Sequence, residues 1–244
     1  MALAVLIMAA GKGTRMKSEL AKVLHALSAR PMIHYVLDTA FALNPDKVVL
    51  IVGHQADAVK EATKGYRVDY VLQSPQLGTG HAVMQAESAL KEFDGEVIVL
   101  SGDVPLTKVQ TLQSLLNVHR EKKAVATVLT AVLENPTGYG RVIRSEQGDV
   151  LKIVEHKDAS PAELAITEVN SGIYVFNKQK LFDALKHISN DNAQGEYYLP
   201  DVFKIFFSQG ERIAAVLAPN FDEIRGINTP EQLKEAEAIL LSVS

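Results

Sequence analysis

Residues 8–16 read Met8-Ala9-Ala10-Gly11-Lys12-Gly13-Thr14-Arg15-Met16 and follow directly on an apolar run from Leu3. Gly11 and Gly13 let the backbone turn tightly and let a phosphate reach the amides. Lys12 and Arg15 place positive charge where those amides point, and Thr14 adds a hydroxyl donor. A triphosphate needs this combination. Three readings compete for it. A dinucleotide loop, G-x-G-x-x-G, wants a third glycine where Met16 stands, and an acid near the end of the second strand, where Val52 is followed by Gly53, His54 and Gln55. A Walker loop, G-x-x-x-x-G-K-[ST], is absent. The third reading is a glycine turn with solvated charges. The basic residues and the place after strand one favour phosphate binding.

Asp103 is a second candidate. It closes the run Val99-Leu100-Ser101-Gly102-Asp103. Ligands of open α/β sheets bind at the carboxyl ends of strands, and a carboxylate there suits magnesium. Its alternative role is to cap the helix expected after Pro105. His25, His54, His81 and His156 are scattered and suggest no metal cluster; such histidines are expected to be structural or at the surface. The chain has no cysteine. That excludes a thiol nucleophile, a thiolate zinc site and a disulfide framework, and it fits a reducing compartment.

The elements that must carry these groups follow a βαβα rhythm. Leu3 to Met8, Lys47 to Val52, Val68 to Gln73 and Glu96 to Leu100 are near-continuously apolar, as strands buried on both faces are. Helical patterns run over Pro31 to Leu43, Gly80 to Phe93 and Thr107 to Arg120, with Pro31 at a first helical position. The rhythm predicts an α/β fold with a Rossmann-like, mostly parallel sheet flanked by helices. Beyond residue 123, strands dominate: Ala124 to Val132, Gly140 to Arg144, Val150 to Glu155 and Val169 to Phe176. A helix over Tyr198 to Phe207, a strand over Arg212 to Leu217 and a helix over Pro230 to Leu241 complete the pattern. One compact unit is expected, with a nucleotide-binding lobe (1–123), a smaller β-rich lobe (124–228) and a C-terminal helix (229–244).

At 244 residues, 47% hydrophobic and 22% charged, the chain can bury a core without a disulfide or metal staple. Its net charge of -4 and the lack of a basic run argue against a nucleic-acid partner, while a small anion needs only a local cluster of cations. The opening MALAVLIMAA has no positively charged leader and runs into Gly11, so it reads as a strand rather than a signal peptide. No stretch reaches the ~18 apolar residues of a membrane span. A cytoplasmic protein with no membrane partner is expected.

The segment from Ala9 to Met16 resembles the signature loop A-A-G-x-G-T-R-M of the sugar-nucleotide pyrophosphorylases. Lys22-Val23-Leu24-His25 stands at the spacing of that family's phosphate-binding lysine. The likeness continues through QSPQLGTGHA (Gln73 to Ala82), SGDVPL (Ser101 to Leu106), PTGYGRV (Pro136 to Val142), IVEHKD (Ile153 to Asp158), EVNSGIY (Glu168 to Tyr174), NAQGEYYLPD (Asn192 to Asp201) and RGINTPEQL (Arg225 to Leu233). The set is most similar to the uridyltransferase domain of the bacterial bifunctional N-acetylglucosamine-1-phosphate uridyltransferases. TGYGR, EHKD and NAQGEYY are its more specific motifs. Ala21 stands where that family usually has Pro, Ser101 where it often has Tyr, and Pro200 where it often has Thr. No hexapeptide repeat like that of the family's acetyltransferase domain is present in these residues, so no acetyl transfer is expected. The chain is then either part of a bifunctional enzyme or a stand-alone uridyltransferase.

The resemblance implies a nucleotide-diphospho-sugar transferase fold and transfer of UMP from UTP to N-acetylglucosamine-1-phosphate, with release of pyrophosphate. The attacking phosphate is already deprotonated at pH 7, so the obstacle is repulsion between two anions. Positioning and charge neutralisation are the expected means, with Mg2+ as cofactor. By resemblance, Arg15 and Lys22 hold phosphate oxygens, and Asp103 and Asn228 ligate the metal. Ala9, Ala10, Gly11 and Gly13 take the nucleotide together with Gln73, Gln76, Gly78 and Thr79. Gln73 is suited to donate to a uracil oxygen and accept from the ring N–H. Gly140, Glu155, Asn170 and Tyr198 are the implied sugar ligands, with Glu196 and Tyr197 beside them. Plainer roles stay open: a turn for Asn228, an ion pair with Lys157 for Glu155, a helix staple for Tyr198. Other functions also stay open, namely another base or sugar (TTP, GTP, glucose-1-phosphate) or a non-catalytic sugar-nucleotide-binding domain. Met16 and the missing ribose acid disfavour an oxidoreductase. A homo-oligomer is compatible with the sequence, which does not fix the oligomeric state.

Overall fold

The computed structural model describes residues 1–243; Ser244, the last residue of the expected C-terminal segment, lies outside the described residues. Strand β1 (Leu3–Ala9) leads through a short hairpin, β2 (Ala26–Leu27) and β3 (Arg30–Pro31), into helix α1 (Met32–Phe41). Then come β4 (Lys47–Val52), α2 (Ala56–Thr63), β5 (Asp69–Leu72), α3 (Thr79–Met84), β6 (Glu96–Ser101) and α4 (Val109–Glu121). The second half adds β7 (Ala126–Val132), β8 (Arg141–Arg144), β9 (Val150–Val154), the single turn α5 (Pro161–Leu164) and β10 (Glu168–Asn177). Helix α6 (Lys178–Leu185), α7 (Asp201–Ser208), β11 (Ile213–Leu217) and α8 (Pro230–Val243) complete the chain.

One sheet runs β11-β7-β10-β6-β1-β4-β5, with β8 and β9 branching from β10. Strand β1 pairs in parallel with β4 and β6, and β4 with β5; β11 is parallel to β7, and β10 is antiparallel to both its neighbours. The apolar residues of β1 alternate between two cores. Leu3, Val5 and Ile7 face α1, α2 and α4, while Ala4 and Leu6 face α3, α6 and α7. A sheet covered on both faces wants apolar residues at every strand position, which is why β1, β4 and β6 carry no polar alternation; β5, expected to be buried likewise, is the edge strand and leaves Asp69 and Leu72 exposed. The strands after residue 123 extend the same sheet, because β10 pairs with β6 over Tyr174 to Asn177. A third, small core joins Leu27 and Met32 to Ile227 and Ala236 of the C-terminal segment.

Several expected boundaries move. Pro31 is extended (φ −51°, ψ 136°) and pairs with Ala26, so α1 starts one residue later, at Met32. The helix expected over Gly80 to Phe93 is regular only to Met84. Beyond it Ala86, Glu87, Lys91 and Phe93 each donate to the residue three back, a tighter winding than an α-helix. Helices α2 and α6 and the hairpin were not anticipated. Two-turn helices repeat their pattern too few times to stand out.

Candidate active site

The loops after β1, β5 and β6 enclose a cleft of about 530 Å³ at the carboxyl edge of the sheet. Every residue expected to take the nucleotide lines it, as do Lys22 and Asp103. The glycine loop is wound around Lys22. Gly13 is left-handed (φ 65°), and a methyl group there would stand 2.5 Å from Lys22 Cβ. Gly11, in contrast, has nothing within 4 Å of the place its side chain would occupy. Buried Met16 pins the short 3-10 turn that follows. Gln55 holds the next segment: it accepts from the Ala21 N–H (2.8 Å) and donates to the Glu19 carbonyl (2.6 Å). Lys22 is thereby delivered to the cleft.

The Lys22 ammonium donates to Asp103 Oδ2 (2.5 Å) and to Asn228 Oδ1 (3.0 Å). Arg15 stands at the rim rather than in the lining, and donates to the same Asn228 oxygen (2.9 Å). Three cross-links bring the distant Asn228 here. The Ile227 N–H donates to the Asp103 carbonyl (2.9 Å), and the Thr107 hydroxyl donates to the Glu223 carbonyl (2.7 Å). The Thr111 hydroxyl donates to the buried Glu223 carboxylate. The donor set fits magnesium. An anionic and a neutral oxygen, both hard, already converge on one cation, and magnesium completes its shell with phosphates and water.

Gln73 is buried at the floor of the cleft; its amide nitrogen donates to the Gly78 carbonyl (2.9 Å) and approaches His81 Nδ1 (3.2 Å). Its nitrogen therefore points into the protein, which leaves its oxygen for the cleft. The glycines at 78 and 80 admit protein rather than ligand. Side chains there would strike the Tyr197 carbonyl, and the Tyr197 and Leu199 amides bond to Leu77 O and Thr79 Oγ1. That lacing brings Glu196 into the cleft lining.

The expected sugar residues form a second group. Gly140, Glu155 and Asn170 touch: a methyl at Gly140 would lie 3.4 Å from Glu155 Oε1 and 3.5 Å from Asn170 Cβ. The Asn170 side chain donates to the Tyr174 hydroxyl (2.7 Å) and accepts from the Gly172 N–H (3.1 Å) at a bulge of β10. Gly172 lies against Ser101 of the cleft; a methyl at Gly172 would lie 3.6 Å from the Ser101 hydroxyl. Glu155 and buried Tyr198, however, face a neighbouring hollow of about 460 Å³ rather than the glycine-loop cleft. Burial, with Asp201, Asp158 and Glu196 nearby, pushes the Glu155 carboxyl up to about 6. Burial likewise lifts Asp201 to about 6. The Tyr198 hydroxyl accepts from Gln194 (2.8 Å).

Gln55, His81 and Glu223 carry weight that their sequence context did not reveal. His81 sits inside QSPQLGTGHA, and that placement was its one available signal. Arg141, in TGYGR, is fully buried and donates to the Tyr139 and Leu164 carbonyls, which fixes the turn at Gly140. No described helix is long and apolar enough to cross a membrane.

The family model described as nucleotidyl transferase matches residues 4–222. A protein of Exiguobacterium sp., named bifunctional protein GlmU, is 53% identical over 234 residues, which is 96% of this chain and 52% of that protein. Bifunctional protein GlmU of Halalkalibacterium halodurans is 53% identical over 96% of this chain and 51% of its own length. The chain thus spans about half the length of the curated relatives it matches. A crystal structure of UDP-glucose pyrophosphorylase complexed with UDP-glucose superposes over 100% of both chains with a TM-score of 0.80 at 16% identity, which is a likeness of fold.

Proposed function

The chain belongs to the nucleotidyl transferase family, and on that premise we propose that it transfers UMP from UTP to N-acetylglucosamine-1-phosphate, giving UDP-N-acetylglucosamine and pyrophosphate. One observation carries the reading: Arg15, Lys22, Asp103 and Asn228 meet at the mouth of a glycine-loop cleft. Half-length likeness to proteins named bifunctional GlmU points to the same chemistry. Residues 1–123 serve as the nucleotide lobe and 124–228 as the sugar lobe.

The residues divide the work by charge. The loop amides around Gly11 and Gly13 take phosphate oxygens, and the open space over Gly11 is where they enter. Lys22 and Arg15 neutralise the triphosphate while the sugar-phosphate oxygen attacks the α-phosphorus in line and the bond to pyrophosphate breaks. Asp103 and Asn228 hold Mg2+, which when bound supplies further charge neutralisation to the phosphates. Gln73 Oε1 accepts from the uracil ring N–H. Gly140, Glu155 and Asn170 bind the sugar, with Tyr198 bordering it. No residue need act as a base, because the attacking dianion carries no proton.

A pyrophosphate-release panel tests this, crossing UTP, TTP, GTP and CTP with N-acetylglucosamine-1-phosphate and glucose-1-phosphate, with and without Mg2+. Release is expected to be fastest for UTP with the N-acetyl sugar and to require Mg2+. Faster turnover with another base or sugar would overturn the assigned substrate, and no release with any pair would favour a binding domain.

A further inference from the structure

We propose that His81 is a positioning residue that fixes which end of the Gln73 amide faces the base, and so sets discrimination between uracil and cytosine. The inference rests on the functional reading above. Gln73 Nε2 lies 2.9 Å from the Gly78 carbonyl and 3.2 Å from His81 Nδ1. Gln85 Nε2 lies 3.2 Å from the other ring nitrogen, His81 Nε2, and 3.2 Å from the His81 carbonyl. Both amide nitrogens can only donate, and a neutral imidazole accepts at one nitrogen and donates at the other. Only one of the two ring contacts can therefore be a hydrogen bond from an amide nitrogen, and the other amide must present its oxygen to the ring N–H.

With His81 in place, Gln73 is the less able of the two to turn. Its side chain is buried, and turning it would set its oxygen against the Gly78 carbonyl and leave that carbonyl without its donor. Gln85 is half-buried at the end of α3, and turning it gives up only a 3.2 Å contact with the His81 carbonyl that water can replace. His81 thus accepts from Gln73 at Nδ1 and carries its proton on Nε2, toward Gln85. With both Gln73 amide hydrogens held by Gly78 and His81, Oε1 is left to meet the base. That oxygen accepts from the N3–H of uracil. Cytosine presents a lone pair at N3, and two acceptors repel. Without the imidazole only the Gly78 carbonyl still holds the amide, so a turned amide that offers N–H to cytosine gives up one hydrogen bond in place of two.

The test compares UTP with CTP, both with Mg2+, in binding by calorimetry and in kcat/KM with N-acetylglucosamine-1-phosphate, for wild type, His81→Leu, His81→Asn and Gln73→Leu. Asn places an amide oxygen near where Nδ1 stands and keeps the acceptor. His81→Leu is expected to lower the UTP/CTP ratio about tenfold, through Kd and KM for UTP, with kcat and KM for the sugar phosphate within twofold of wild type. His81→Asn is expected to recover most of the ratio, which a purely structural role would not predict. If His81→Leu fails to fold, His81→Gln, whose amide reaches the Nε2 side instead, is expected to lose the ratio that His81→Asn keeps. An unchanged ratio in a folded His81→Leu, or equal losses for both nucleotides, overturns the proposal while Gln73→Leu still abolishes the preference. A Gln73→Leu variant that keeps its preference for UTP would overturn the base reading and this inference with it.

Discussion

Asp103 and Glu155 are both carboxylates assigned to the proposed reaction, one in the glycine-loop cleft and one in the neighbouring hollow, and their surroundings set them apart. Asp103 is held by the Lys22 ammonium and shares it with Asn228, so it is ready to exchange one cation for another. Replacing it by Ala should lower kcat by three orders of magnitude or more, with a melting temperature within a few degrees of wild type. Near-normal turnover at saturating Mg2+ would remove its metal role. Glu155 has burial and three acids around it in place of a cation. Its folded value, about 6, lies above the ordinary 4.5, so protonation favours the folded state. The stability it contributes is full below pH 4.5 and is lost as pH rises through 6. Above that, the buried charge costs about 1–2 kcal/mol. Glu155→Gln should therefore melt about 2–6 °C higher than wild type at pH 8 and show no gain at pH 4.5. The same variant should raise KM for the sugar phosphate at least tenfold. A gain at both pH values would show that its charge is not the cause.

At the scale of elements, the glycine loop and Lys22 behave as one part. Gly11 and Gly13 look alike in sequence and differ in what surrounds them. A methyl at Gly13 meets Lys22 Cβ at 2.5 Å in a left-handed residue, whereas a methyl at Gly11 meets open space. Gly13→Ala should lower both the melting temperature and activity. Gly11→Ala should leave the melting temperature unchanged and still lower kcat/KM for UTP about a hundredfold, because the space it fills belongs to the phosphates. Full activity in Gly11→Ala would place the triphosphate elsewhere. The segment from Asn220 to Asn228 is a second such part. Thr107, Thr111 and the Asp103 carbonyl tie it to the end of β6. Glu223→Ala strips the buried carboxylate from Thr111 and loosens Asn228. Its expected signature is a higher Mg2+ concentration at half-maximal rate, accompanied by a destabilisation of about 1–3 kcal/mol.

For the whole molecule, β10 joins what the sequence divides. It pairs with β6 on one side and β7 on the other, and its Tyr174 and Phe176 pack with Phe203 of α7, at ring separations of 5.5–5.8 Å. Since Tyr174 also holds Asn170, packing and the proposed sugar residues are coupled. Phe203→Ala should lower stability by about 3–5 kcal/mol, and fluorescence and circular dichroism should report a single shared transition; two separated transitions would mean two independent folding units. By itself the sequence determined the strands of the main sheet and most of the longer helices, though not the β2–β3 hairpin or the end of α3, because unbroken apolar runs and repeated helical faces are local properties of the chain. It determined the glycine loop and the motif spacing for the same reason. Helices as short as α2 and α6 repeat too little to be read, and Gln55 and Glu223 have no local signature, since each is defined by its partners; His81 had only its place in QSPQLGTGHA. The tertiary structure alone decided that Lys22 meets a carboxylate 81 residues away and an amide 206 residues away. It alone split Tyr198 and Glu155 from the glycine-loop cleft and aimed the Gln73 nitrogen inward. Convergence of distant groups follows from how the sheet and its helices pack, and no stretch of sequence encodes that distance.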